Sequence, residues 1–240
     1  MLVLVIGDLL LPYRALDLPA KFRKLLVPGK IQQVVCTGNV CDKQTHDYLR
    51  SLANEIHMVK GDYDENRRLP SQLVLQYPPL RIGVVHGHQV IPAGDKAALA
   101  SLARSMDVDV LLSGYTHQFE AYAYDGRFFI NPGSATGAWT TEVPLPGVPA
   151  QPATPARGKD TPDADAAAPA SAPGDQVPPP TDETLEDGGE DMGTTPSFAL
   201  LDIQGPVVVI YIYQLINNEV KVEKLEYRKP VEAEPAAAAA

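Results

Sequence analysis

Five times before residue 118 the chain passes through a short apolar run and stops at a polar side chain, usually one near a glycine. Residues 2–7 lead to Gly7-Asp8, residues 33–37 to Gly38-Asn39, residues 56–60 to Gly61-Asp62, residues 81–85 to His86-Gly87-His88, and residues 108–113 to Gly114-Tyr115-Thr116-His117. Continuous apolar runs of this length read as strands buried on both faces. Helical patterns over 20–26, 42–53 and 95–105 fill several gaps, and alternating strands and helices imply a largely parallel sheet. Such sheets place ligands beyond the carboxyl ends of their strands. The repeated endings therefore predict one edge on which Asp8, Asn39, Asp62, His86 and His117 converge. The glycines let the backbone turn sharply there, so that the side chains point inward.

After His117 the pattern changes to strands joined by turns. Residues 120–124 and 127–130 flank Asp125-Gly126, a hairpin signal. Residues 197–203, 207–216 and 219–227 read as further strands. The expectation is one α/β domain over residues 1–230, with two sheets face to face and helices outside.

Residues 142–196 stand apart, with 11 acidic and 2 basic residues and almost no large apolar side chain. That composition cannot bury enough surface to offset the entropy of ordering it. A disordered acidic insert in the second sheet is expected, followed by a disordered tail over 231–240. The net charge of −10 then resides in insert and tail, and nothing points to nucleic acid. No apolar run reaches the length of a membrane span. The first six residues lack the basic start of a signal peptide, and Cys36 and Cys41 alone form no disulfide framework. A cytoplasmic protein without direct membrane insertion is expected.

The ordered endings resemble the calcineurin-like metallophosphoesterases, whose motifs run Asp-x-His, Gly-Asp-x-x-Asp, Gly-Asn-His-Asp/Glu, His and Gly-His-x-His. The resemblance covers residues 2–141 and implies a four-layer α/β/β/α sandwich. It also implies a two-metal centre that generates a hydroxide nucleophile. Position by position, Asp8, Asp62, His86 and His117 match ligands, and Asn39 stands at the bridging aspartate. Leu10 and Tyr115 stand where two ligand histidines belong, and Tyr63 where a histidine assists the leaving group. Divalent sites want three or four good ligands. The set is therefore expected to be vestigial, with no catalytic residue and no cofactor beyond at most one weakly bound divalent cation. The chain is expected not to be an enzyme; the alternative is a divalent-metal-dependent phosphoesterase with residual activity.

Longer stretches resemble a non-enzymatic branch of that family, the phosphoesterase-fold subunits of retromer. Among them are Leu18-Pro19-Ala20-Lys21-Phe22, His86-Gly87-His88-Gln89-Val90-Ile91-Pro92 and Ile130-Asn131-Pro132-Gly133-Ser134. This resemblance implies a scaffold that binds the α-solenoid subunit of retromer, vacuolar protein sorting-associated protein 35, through the degenerate metal-site edge. Val90, Ile91 and Pro92 belong to that contact. It implies an opposite apolar patch for regulators of Rab GTPases, matched here by Leu2, Leu25, Leu200, Tyr211, Tyr213 and Val222. Other retromer and sorting nexin components would be met indirectly, on endosomes, in retrograde transport to the Golgi and plasma membrane. Read from the residues alone, an apolar loop tip marks a partner surface or folds onto its own helix. Tyr211 and Tyr213, two apart in a strand, share a face and suit an interface or a hydrogen-bonded core equally.

Overall fold

The computed structural model describes residues 1–140 and 194–230. Strand β1 (Leu2–Ile6) is apolar at every position because it is covered on both faces. It pairs in parallel with β2 (Gln33–Cys36), which pairs in parallel with β3 (Glu55–Met58). Helices α1 (Ala20–Leu25) and α2 (Lys43–Leu52) make the crossovers. Asp42 starts α2 by accepting the Thr45 N–H at 2.9 Å, satisfying a donor that the first helical turn leaves unpaired.

The second sheet comprises β4 (Gln72–Tyr77), β5 (Leu80–Val85), β6 (Val110–Leu112), β7 (Phe119–Tyr124) and β8 (Arg127–Pro132). Helix α3 (Lys96–Met106) connects β5 to β6; Asp95 caps its start and Asp107, at φ 52°, ends it. The Asp125-Gly126 turn between β7 and β8 has both residues at positive φ, the hairpin geometry that its sequence predicts.

Strands β9 (Ser197–Gln204), β10 (Val207–Ile216) and β11 (Glu219–Arg228) correct one expectation. They complete the first sheet, in the order β11-β10-β9-β1-β2-β3, while the second sheet runs β4-β5-β6-β8-β7. The segment between β8 and β9 therefore links the two sheets instead of interrupting the second. The physical reason is the free side of β1, whose backbone groups pair antiparallel with β9, Leu4 facing Leu200. A strand's local pattern carries no information about such a distant partner. Strand β4 was not expected at all. It lies on an edge and alternates exposed with half-buried residues, so it lacks the apolar run and polar ending of the buried strands. The insert and tail readings fall mainly on 141–193 and 231–240, outside the described residues.

Side-chain alternation assigns the layers. Val3, Val5, Val35, Ile82, Val84, Ile130, Leu201 and Ile210 fill the space between the sheets. Leu4, Ile6, Val34 and Cys36 face outward against Phe22, Leu49 and Leu52 of the first two helices. On the far side, Leu111 and Phe129 pack against Leu99, Ala100, Ala103 and Met106 of α3. The result is an α/β/β/α sandwich. Each fully buried Leu or Ile in it contributes roughly 1.5–3 kcal/mol.

Candidate functional site

The parallel strands β1, β2 and β3 of one sheet and β5 and β6 of the other all end at the same edge, and their endings meet. A Cβ on Gly7 would fall 1.8 Å from Thr37 Oγ1, and Gly38 turns at φ 109° beside Gly61, so these approaches require glycine. Asp8, Leu10, Asn39, Cys41, Tyr115 and His117 also adopt positive φ. Left-handed backbone at ordinary residues is strained, and its concentration on one edge marks a site that the surrounding structure over-determines.

All five predicted residues converge. His86 is fully buried, and its Nε2 lies 3.0 Å from Asp62 Oδ1. Its Nδ1 donates to the Thr37 carbonyl at 2.7 Å. His117 Nδ1 donates to the Ala138 carbonyl at 2.7 Å, which leaves Nε2 3.7 Å from Asp8 Oδ1. Asp8 is wholly buried and accepts the Tyr115 N–H at 2.8 Å. The Asn39 side chain sits between the carboxylates. Its Oδ1 accepts the Tyr63 N–H at 3.0 Å, and its amide nitrogen faces inward, 2.9 Å from Asp62 Oδ1, 3.4 Å from Asp8 Oδ1 and 3.1 Å from His86 Nε2.

The electrostatics follow. Burial opposes charge on His86, but the hydrogen bond to Asp62, the Asp8 carboxylate and the Thr37 carbonyl hold its pKa above the usual imidazole value. Burial likewise works against an ionised Asp62, yet the hydrogen bonds from His86 and Asn39 keep it well below the usual carboxylate range. An ion pair between buried His86 and solvent-accessible Asp62, with a neutral amide wedged beside it, therefore occupies the centre of the edge.

This donor set does not fit a two-metal centre. Leu10, fully buried, offers only carbon, and the ring of Tyr115 stands edge-on to His86 with centroids 5.6 Å apart. The inward atom of Asn39 carries hydrogens and cannot ligate. Among the described residues, no group of three or more His, Cys, Asp or Glu is arranged to hold a metal ion. Cys36 and Cys41 are free thiols that burial pushes up, Cys41 to about 12, so neither is a ready ligand.

Several supporting groups were not singled out from sequence. Asp64, 7% exposed, accepts backbone N–H groups from Asn39, Gly61 and Cys41 at 2.8, 2.9 and 3.1 Å. Its carboxylate thereby ties two of the site loops together. Ser134 donates to the Asp8 carbonyl at 2.7 Å and Thr136 to the Leu9 carbonyl at 2.8 Å. The turn after β8 thus satisfies nearby backbone. Arg14 lies across the mouth of the site, between Tyr63 and Trp139. Of the residues that Arg14 touches, only Tyr63 carried a sequence signal, through its place in the motif that contains Asp62.

The residues expected to bind partners differ in exposure. Val90 is buried against α3, whereas Ile91 is 88% exposed and Pro92 is exposed beside it. The loop therefore folds onto its helix through Val90 and leaves Ile91 and Pro92 exposed. Leu2, Leu200, Tyr211, Tyr213 and Val222 share the outer face of the first sheet, as their strand pairings require. Leu25 of α1 and Val222 are exposed, and the other four are half-buried. Tyr213 stacks on Phe198 at 4.7 Å, and Phe198 meets Phe22 edge-on at 4.8 Å.

Two facing sheets with polar strand ends converging on one edge define the calcineurin-like phosphoesterase fold. The family model described as a calcineurin-like phosphoesterase superfamily domain matches residues 1–147. Vacuolar protein sorting-associated protein 29 of Schizosaccharomyces pombe is 39% identical over 230 residues, covering 96% of this chain and 100% of that one. The crystal structure of Chaetomium thermophilum Vps29 is similar at a TM-score of 0.72 and 38% identity, over 96% of this chain and 100% of that chain. Wild-type Vps29 from Entamoeba histolytica, complexed with Zn²⁺, gives 0.70 and 38%, over 94% and 99%. The chain belongs to the calcineurin-like phosphoesterase superfamily and, within it, to the Vps29 family.

Proposed function

We propose that the chain is a non-catalytic scaffold subunit of retromer. It binds the α-solenoid subunit through the degenerate metal-site edge and recruits Rab GTPase regulators through the apolar face around Leu25, Tyr211 and Val222, in retrograde transport from endosomes. The observation that carries this reading is the Asn39 amide nitrogen between Asp8, Asp62 and His86. A hydrogen-bond donor occupies the position from which a bridging carboxylate would hold two cations, and hydrolysis needs those cations to generate its nucleophile. Membership of the Vps29 family supports the choice of complex, and no helix among the described residues is long and apolar enough to cross a membrane.

Ile91 provides the test. At 88% exposure it contributes little to the isolated fold, so Ile91→Asp is expected to leave thermal unfolding unchanged. Burying an unpaired carboxylate in an interface is strongly unfavourable, so the variant is expected to lose binding to vacuolar protein sorting-associated protein 35 in size-exclusion co-elution. Retained co-elution would place the contact elsewhere.

A second reading rests on one observation. Both histidines spend Nδ1 on backbone carbonyls, the arrangement that orients Nε2 toward a metal, and a relative has been crystallised with Zn²⁺. A single cation would have to displace the Asn39 amide and the His86 proton. Calorimetric titration of chelator-treated protein with Zn²⁺ is expected to give no saturable binding below about millimolar; two micromolar sites would restore the phosphoesterase alternative.

A further inference from the structure

Arg14 follows β1 in the chain, four residues beyond Leu10, whose carbonyl accepts its N–H at 2.9 Å. Its Nη1 donates to the Trp139 carbonyl at 2.9 Å and its Nη2 to the Tyr63 hydroxyl at 2.5 Å. The guanidinium carbon also lies 4.7 Å from the centre of the Tyr63 ring and 4.5 Å from that of Trp139. One side chain thus joins three segments by two hydrogen bonds and two cation–π contacts. These are the segments that carry Asp8, Asp62 and the carbonyl that orients His117. Arg14 lines the same small cavity, about 50 Å³, as Asn39, Asp62 and His117.

Where two cations cross-link such loops, their removal frees the loops. A guanidinium stays charged at every accessible pH and no chelator removes it. We propose that Arg14, clamped between Tyr63 and Trp139, holds the partner-binding edge in its working shape and takes over the cross-linking role that metal ions play in catalytic relatives. The role in partner binding rests on the reading of this edge as the solenoid-binding surface; the clamp itself stands on its own geometry.

Trp139 is the only tryptophan of the chain and is 49% exposed, so its fluorescence reports on the clamp directly. The experiment compares the full-length wild type, Arg14→Ala and Arg14→Lys, each with and without EDTA. It measures Trp139 emission, acrylamide quenching, thermal midpoint, and affinity for the solenoid subunit. Arg14→Ala is expected to shift emission to the red, raise quenching and weaken solenoid binding by roughly tenfold at a temperature where the variant is fully folded, the size of two exposed cation–π contacts, with the midpoint lowered by a few degrees at most because those contacts lie within the chain. Arg14→Lys keeps the charge but loses the planar fork, and falls between. EDTA is expected to change nothing in the wild type.

The proposal is overturned if EDTA reproduces the effects in the wild type, or if Arg14→Ala keeps the wild-type spectrum and affinity. A loss of affinity that disappears well below the variant's midpoint, where all of the protein is folded, would reduce Arg14 to a stabilising residue and overturn it too. Failure of the wild type to bind the solenoid subunit would instead sink the reading of the edge. The fluorescence comparison would still decide the clamp, because an unchanged spectrum in Arg14→Ala overturns it.

Discussion

His86 and Asp62 form a pair in which each partner shifts the other. The imidazole is raised above its ordinary 6.5 and the carboxylate is lowered from its ordinary 3.8. The stabilisation from a raised histidine is fully present below 6.5 and is lost as pH rises through the folded value. That from a lowered aspartate is fully present above 3.8 and is lost as pH falls through its folded value. Between those two limits the pair contributes in full. Asp62→Asn removes the charge that supports the imidazolium, so NMR titration of His86 is expected to show its pKa falling toward or below the ordinary value. The midpoints of wild type and variant are expected to differ most between pH 4 and 6.5 and to converge above the wild-type His86 pKa. An unchanged His86 titration would mean that Asp8, not Asp62, is the dominant partner.

Among the connecting elements, the loops after β2 and β3 depend on Asp64. Its carboxylate accepts from three backbone donors, those of Asn39, Cys41 and Gly61. Replacing it by alanine leaves those donors without their partner and is expected to lower stability by about 2–4 kcal/mol in urea denaturation. Asp64→Asn retains one acceptor oxygen and is expected to lose about half as much. This residue also shows where reading the sequence stops. The strand endings were legible because an apolar run followed by glycine and a polar side chain has few structural meanings, and all five endings do meet. Asp64 stands two places after Asp62 in the same motif, yet nothing local reveals that one carboxylate points into the site while the other turns back to the main chain. The Arg14 clamp was hidden for a similar reason: its three residues are separated by 49 and 125 positions, and only folding brings them together. The partner of β9 was equally out of reach, and β4, an edge strand alternating exposed with half-buried residues, lacked the apolar run and polar ending that marked the other strands.

For the molecule as a whole, the faces proposed for binding differ in how they are built. The edge at the strand ends is a set of turns fixed by hydrogen bonds, whereas the outer face of the first sheet is a regular surface whose aromatic residues stack on the core beneath, Tyr213 on Phe198 and Phe198 on Phe22. A substitution in the second face therefore affects the core as well. Tyr213→Ala is expected to lower the thermal midpoint by several degrees, since it removes a stacked ring worth about 0.5–1.5 kcal/mol beyond its buried area. Val222→Asp, on an exposed position of the edge strand, is expected to leave the midpoint within about 2 °C, because surface changes are usually within ±0.5 kcal/mol. Differential scanning calorimetry of the two variants separates the cases; equal losses would show that the face is not layered in this way.

The Thr194 hydroxyl donates to the Ala138 carbonyl at 2.7 Å, and that carbonyl also receives the Nδ1 proton of His117. The chain leaves the sandwich and re-enters it at almost the same point, and the doorway is one of the groups that set the orientation of a site histidine. Because loop closure grows only logarithmically with length, sequence can be added or removed between those two positions with little thermodynamic consequence for the sheets. Whatever is attached there is nonetheless moored to the edge that the first strand endings build, so a change of appendage is felt first at His117.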